Sequence, residues 1–232
     1  MGDLQTPEKR LMVACCGQQE YVAALRMQEA LVERKLAGDA DDWLLLLSHP
    51  PVVTVGRSAT AADEVAVRAL KHDGVSVVRV SRGGRLTYHG PGQIVGYPIV
   101  DLSTHRRDLH AYMRDLETVI IRTLADHGVS AHTEPAKTGV WLDGKKIAAI
   151  GIAVRSWITY HGFALNLAPN LRHFRTFSPC GLDSEQVSSV TELGFELDED
   201  SLRQSLAQKL GEVLRRQICW TRLPENLTTD DI

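Results

Sequence analysis

Arg82-Gly83-Gly84-Arg85-Leu86-Thr87-Tyr88-His89-Gly90-Pro91-Gly92-Gln93 places five Gly or Pro residues among twelve, yet it lies between two β-like runs, Val75 to Val80 and Ile94 to Val100. A spacer would be poorer in large side chains. Four glycines permit positive φ and close approach of backbone N–H groups to a ligand, while Arg, Thr, Tyr and His supply donors at fixed places. The stretch therefore reads as a binding loop held between strands.

Outward from this loop, Leu11 to Cys16 reads as an opening strand. Gln18 to Ala37 reads as a helix with Val22, Leu25, Val32 and Leu36 on its apolar face and Gly38 as its stop. Trp43 to Ser48 and Val52 to Val55 are short apolar runs bounded by His49-Pro50-Pro51 and Gly56, the pattern of buried strands. Leu109, Tyr112, Met113, Leu116, Val119, Ile120 and Leu124 form a 3.6-residue stripe that ends at Gly128, which predicts a helix covering one sheet face. Val140 to Leu142, a turn at Asp143-Gly144, Lys145 to Val154 and Trp157 to Leu167 predict an antiparallel meander. A last helix at about 201–216 carries Leu202, Leu206, Leu210, Val213 and Leu214, with Ser201 and Gln204 spaced as a capping box. Strands and helices interleave without a regular βαβ rhythm, so the expected class is α+β, a mixed β-sheet flanked by helices.

The 232 residues, 44% hydrophobic and 24% charged, suit one catalytic-sized domain over 1–232 with a single large core. A formal charge of −3 argues against a nucleic-acid partner, although Arg172 to Arg175 forms a local basic patch. The four cysteines form no C-x-x-C pair and no metal-ligand spacing, which fits a reducing cytoplasm better than a secreted scaffold. No secretory or transit signature opens the chain, and no apolar run nears the roughly 20 residues of a membrane span, so no membrane partner is expected. Walker A and GxGxxG patterns are absent from the sequence.

The loop as a whole, RGGRLTYHGPGQ, resembles the signature of the lipoyl(octanoyl) transferase family, the B-type lipoate biosynthesis enzymes. Two further blocks resemble the same family: Gly144-Lys145-Lys146-Ile147-Ala148-Ala149-Ile150-Gly151, and His161-Gly162-Phe163-Ala164-Leu165-Asn166 leading to Pro179-Cys180-Gly181. Together they cover a motif core of 82–181 in the expected order. The resemblance implies the biotin/lipoate protein ligase fold. It also implies transfer of an octanoyl group from octanoyl-acyl carrier protein to a lysine of lipoyl domains, among them those of 2-oxoacid dehydrogenases and the glycine cleavage H protein. This would be the first step of lipoate biosynthesis, carried out by a cytoplasmic monomer with no metal and no ATP.

Cys180 sits between Pro179 and Gly181, a context that puts its thiol on a loop. Context alone favours a small buried hydrophobe, whereas the resemblance implies the nucleophile. A free thiol of pKa about 8.5 is a few per cent ionised at neutral pH, so a nearby cation aids it. Strand alternation puts Lys145 and Lys146 on opposite faces, and at most one enters a site. Periodicity does not say which; the resemblance implies Lys146. His89 and His161 stand as alternative bases or as hydrogen-bonded structural groups. Arg82 is open between a salt bridge and an anion or carbonyl contact. Cys15, Cys16 and Cys219 read as packing residues. An acyl pocket is implied at Arg82, Gly83, Gly84, Arg85, Leu86, Thr87, Tyr88, His89, Ala149, Ile150, Gly151, Gly162, Phe163 and Ala164. Two rival functions remain: an ATP-dependent lipoate or biotin ligase of the same fold, and a non-catalytic binder of acyl carrier protein or lipoyl domains. An adenylate route needs no cysteine, which sets Cys180 against the first.

Overall fold

The chain begins with β1 (Arg10–Gln18), α1 (Tyr21–Leu36), β2 (Asp42–Ser48) and β3 (Val52–Val55) in a computed structural model that describes residues 9–72, 74–176, 184–224 and 227. There follow α2 (Ala61–His72), β4 (Ser76–Arg79), β5 (Leu86–His89), β6 (Gln93–Ile99) and α3 (Leu109–Asp126). Next come β7 (His132–Glu134), β8 (Lys137–Leu142), β9 (Lys145–Arg155), β10 (Ile158–Asn166), α4 (Glu199–Leu214) and β11 (Gln217–Trp220). Eight strands form one mixed sheet in the order β11-β1-β2-β6-β10-β9-β8-β7, and three more form a separate small sheet, β4-β3-β5. The expected α+β class with a mixed sheet is observed.

Each sheet face has its own apolar layer. Helices α3 and α4 cover one face through Tyr112, Leu116, Ile120, Leu206 and Leu210. Helix α1 covers part of the other through Ala24, Met27, Leu31 and Val32. The small sheet has a third cluster of Val53, Val55, Leu86 and Tyr88, packed with Val67 and Leu70 of α2 and with Phe174. The first hairpin of the meander turns where expected, with positive φ at Asp143 and Gly144; the second turns at Ser156 and Trp157, so Trp157 belongs to the turn and not to the strand it was expected to open. Both have the paired positive φ that two-residue turns of the I′ kind require.

Several sequence expectations are corrected. Leu86–His89 of the glycine stretch is itself strand β5, and the flanking runs β4 and β6 lie in different sheets. The apolar face of α1 is rotated from the expected one: Val22 and Leu36 are exposed, while Tyr21, Gln28 and Lys35 are buried. Buried polar groups explain the error, because each is satisfied. Gln28 accepts from the His161 N–H at 2.7 Å, and Lys35 meets Asp42 at 2.9 Å. Helix α4 is capped by Asp198, which accepts from the Ser201 N–H at 2.8 Å, so the Ser201/Gln204 box is not the cap. Cys15 is exposed and is no packing residue; Cys16 and Cys219 are partly buried. Helix α2 and the short edge strands β7 and β11 were not anticipated.

Candidate functional site

The hairpin β8–β9 carries Lys146 into the protein. Lys145 and Lys146 part as alternation demands: the Lys145 Nζ donates to the Glu185 carbonyl at 2.6 Å, whereas Lys146 is buried. Space for Lys146 is made by Gly139 on the neighbouring strand, where a Cβ would stand 2.6 Å from the lysine Cε and 2.5 Å from the Ala148 carbonyl oxygen. With φ at +124°, position 139 also has a backbone that side chains rarely adopt. The Gly139 N–H is fixed by the Glu117 carboxylate at 2.8 Å.

Lys146 lines a cavity with Thr87, Tyr88, Gln93, Ala148, Ala149, Ala164, Asn166, Phe174 and Val187. Thr87, Ala149 and Ala164 also line a second lobe, which continues past Arg82, Gly83, Gly84, His89, Ile150, Gly151, Gly162 and Phe163 to Tyr21, Tyr97 and His161. Main-sheet strands β9 and β10 supply one wall. The small sheet and the glycine stretch supply the other. A broader groove bordered by Met113, Ala136, Lys137 and Thr138 reaches Lys146 and Ile150 from outside.

The glycine stretch is held by its own backbone. The Gly83 N–H donates to the Ile152 carbonyl at 3.1 Å, so this amide serves the fold and not a ligand. The amides of Arg57 and Ser58 donate to the carbonyls of Arg82 and Gly84. Of the four glycines in the stretch, Gly84 and Gly92 use positive φ. Arg82 is buried and donates to the Gly83 and Thr54 carbonyls at 2.8 and 3.0 Å and to Thr54 Oγ1 at 2.6 Å, contacts that serve the fold.

The inner lobe ends in a ring of neutral polar side chains. His49 Nε2 is 2.7 Å from the Tyr97 hydroxyl, and its Nδ1 is 2.7 Å from the Gln19 carbonyl. His161 takes a left-handed φ of +58° and sits between the Tyr21 hydroxyl and Ser81 Oγ, at 3.4 and 3.3 Å. Burial pushes His49 down to about 4 and His161 down to about 3, the latter helped by the Arg82 cation. His89 is held well below the ordinary imidazole value by burial first, then by His49 and Arg82. Burial also raises the Tyr21 hydroxyl to about 12 and holds Tyr97 well above its usual range.

The hydrogen bonds of Gln93 set the His89 tautomer. Gln93 Nε2 donates to Asn166 Oδ1 at 2.8 Å and to the Tyr88 carbonyl at 3.2 Å, so its Oε1 accepts from His89 Nδ1 at 3.3 Å. His89 Nε2 is then a bare acceptor, with no hydrogen-bond partner among the described residues.

Twelve of the fourteen expected pocket residues line the two lobes. The other two do not: Arg85 is paired with Asp63 of α2 at 2.7 Å, and Leu86 is fully buried in the small-sheet core. Cys180 lies outside the described residues. Tyr21, His49, Tyr97 and Gly139 were missed. A glycine amid strand residues facing a lysine was the one available signal, and it concerns Gly139 alone. Among the described residues no group of three or more His, Cys, Asp or Glu could hold a metal ion, and no helix is long and apolar enough to cross a membrane.

A mixed sheet with a two-lobed, largely apolar cavity ending at a buried lysine defines a class before any name. Residues 20–211 match the family described as the lipoyl protein ligase A/B catalytic domain, and the chain belongs to that family. More narrowly, its similar curated relatives carry the name octanoyltransferase. The protein from Geobacter metallireducens is 42% identical, over 90% of this chain and 95% of its own. That from Caldicellulosiruptor saccharolyticus is 46% identical over 84% of each chain. Among solved structures, lipoate-protein ligase A bound with ATP superposes with a TM-score of 0.79 at 20% identity, covering 95% of this chain and 91% of the other. Biotin protein ligase from Aquifex aeolicus with biotin and ATP does so with a TM-score of 0.54 at 12% identity, covering 89% and 71%. These last two share the fold with this chain.

Proposed function

We propose that this protein is an octanoyltransferase of lipoate biosynthesis that takes its acyl group from octanoyl-acyl carrier protein, holds it as a Cys180 thioester, and delivers it to a lysine of a lipoyl domain. The acceptors are the lipoyl domains of 2-oxoacid dehydrogenases and the glycine cleavage H protein. The observation that carries this reading is one buried lysine, Lys146, at the end of an apolar two-lobed cavity, in a chain whose close relatives are named octanoyltransferase. What supports Cys180 is its flanks: Phe174 and Val187, described residues on either side of it, both line the Lys146 lobe.

In the first step the Cys180 thiolate attacks the donor carbonyl carbon; the donor C–S bond breaks and the carrier thiolate leaves as a thiol by taking a proton from the Lys146 ammonium, which is thereby left neutral for the second step. A cation about 4 Å from the thiolate, at an effective dielectric near 20, stabilises it by about 4 kcal/mol before desolvation losses. Lys146 supplies that cation. In the second step the acceptor amine enters by the groove of Lys137 and Thr138 and attacks the enzyme thioester. Lys146 then takes the amine proton, an amide C–N bond forms, and Cys180 leaves as thiolate. Thioester exchange is nearly isoenergetic and amide formation is downhill, so the route needs neither ATP nor a metal.

The test is intact mass spectrometry after incubation with octanoyl-acyl carrier protein. A hydroxylamine-labile octanoyl adduct is expected on the wild type and not on Cys180→Ala. An adduct that persists in the variant, or transfer from free octanoate that depends on ATP, overturns the proposal.

A further inference from the structure

The geometry points to the ring of Tyr21, His89, Tyr97 and His161 as a polar floor that sets acyl-chain length and prefers a distal hydroxyl to a methyl group. This inference rests on the acyl-transfer reading of the cavity. Ala149, where the two lobes meet, is three residues along β9 from Lys146, about 10 Å at the rise of a strand. An eight-carbon chain with C–C bonds of about 1.5 Å extends about the same distance. A tail whose carbonyl stands near Lys146 therefore ends at Thr87, Ala149 and Ala164, where the lobes meet, and a ninth heavy atom is the first to enter the inner lobe.

There the wall changes character. Ala149, Ile150, Phe163 and Ala164 give way to two phenols and two imidazoles, all buried. Most of their polar atoms are engaged: His161 by Tyr21 and Ser81, and Tyr97 by His49. The exception is His89 Nε2, an acceptor without a partner on a side chain only 6% exposed. Depressed imidazole pKa values agree with neutral rings on the floor, kept so by burial and by the Arg82 cation that lines the same lobe.

Up to the floor, each methylene strengthens binding about fourfold. Beyond it, a methyl group pressed on His89 Nε2 seals a bare acceptor away from any donor, which costs about tenfold or more. A hydroxyl at the same place donates to that nitrogen. The ligand class that fits is thus a medium-chain acyl group with a hydroxyl at its far end.

The experiment compares two isosteric probes, nonanoate and 8-hydroxyoctanoate, by calorimetric Kd on the full chain. The wild type is expected to bind 8-hydroxyoctanoate at least as tightly as nonanoate, and His89→Leu to prefer nonanoate by about tenfold. His89→Gln keeps an acceptor and is expected to behave as the wild type. Tyr97→Phe, which removes only a hydroxyl, is expected to shift the ratio toward nonanoate and serves if His89→Leu does not fold. A wild type that favours nonanoate tenfold, or a ratio unmoved in both folded apolar variants, overturns the floor. Octanoyl transfer by the wild type is read separately, so a protein that binds both probes as expected but transfers nothing sinks the transferase reading and not the floor.

Discussion

At one end of the cavity an amine, Lys146, is carried by a long hairpin strand and cleared by a glycine on the adjacent strand; at the other, four neutral side chains line the lobe beside the Arg82 cation, with His49 behind Tyr97, and these four and His49 come from five separate segments. Tyr21 comes from α1, His49 from the segment after β2, His89 from β5, Tyr97 from β6 and His161 from β10. The reacting end is local in sequence. The inner end exists only once both sheets and α1 have assembled. Chemistry that needs one group in one orientation is placed on a hairpin, whose register fixes direction, while a floor that needs only shape and polarity is drawn from wherever the topology brings side chains together.

The sharpest break between the two ends comes from removing the amine. Lys146→Ala is expected to lower the octanoyl-transfer rate by about 10²–10⁴-fold, the range for loss of a positioned proton-transfer group, with little change in octanoate Kd. Equal losses of kcat and of binding would show that Lys146 holds the chain and does no more. Gly139→Ala leaves the amine but takes its space. Displacing the Lys146 side chain by about 1 Å is expected to cost about 10²-fold in kcat, with KM for the carrier substrate unchanged. Full activity in that variant would mean that Lys146 works in another rotamer.

The smallest of these effects distinguishes the inner end by pH. His49 and His161 have folded-state values near 4 and 3, below the ordinary imidazole value of about 6.5. Below pH 6.5 the unfolded chain binds protons that the folded chain refuses, so stability falls as pH drops from 6.5 toward 4. Each imidazole contributes about 1.4 kcal/mol per pH unit across that window and nothing above it. Urea titrations at pH 7 and pH 5 check this, and His49→Gln is expected to show a shallower loss. Equal stability at both pH values would place these rings in solvent.

The β8–β10 meander was readable because alternating apolar residues and the Asp143-Gly144 turn are local signals of register. Lys146 was readable only in part. Alternation parts the two lysines, and the structure sends one to the Glu185 carbonyl and the other inward. The face of α1 was misread because Gln28 and Lys35 count as solvent-facing until their partners, His161 and Asp42, are seen across more than one segment. Arg85 was misplaced for the same reason: a cation in a glycine-rich stretch looks ready for a ligand, and its carboxylate partner lies on α2, an amphipathic helix absent from the sequence reading. Tyr21 and Tyr97 looked like ordinary core aromatics, and nothing near them in sequence marks a floor.

One cavity wall rests on a core of its own, where Val53, Val55, Leu86 and Tyr88 pack against α2 and Phe174 apart from the two layers of the main sheet. Evolutionary drift should therefore be unevenly tolerated across the molecule. Volume lost beneath that small sheet lets the wall settle away from β9 and β10 and alters which acyl groups fit, whereas the same loss between α3 and α4 weakens the protein and leaves its selectivity intact.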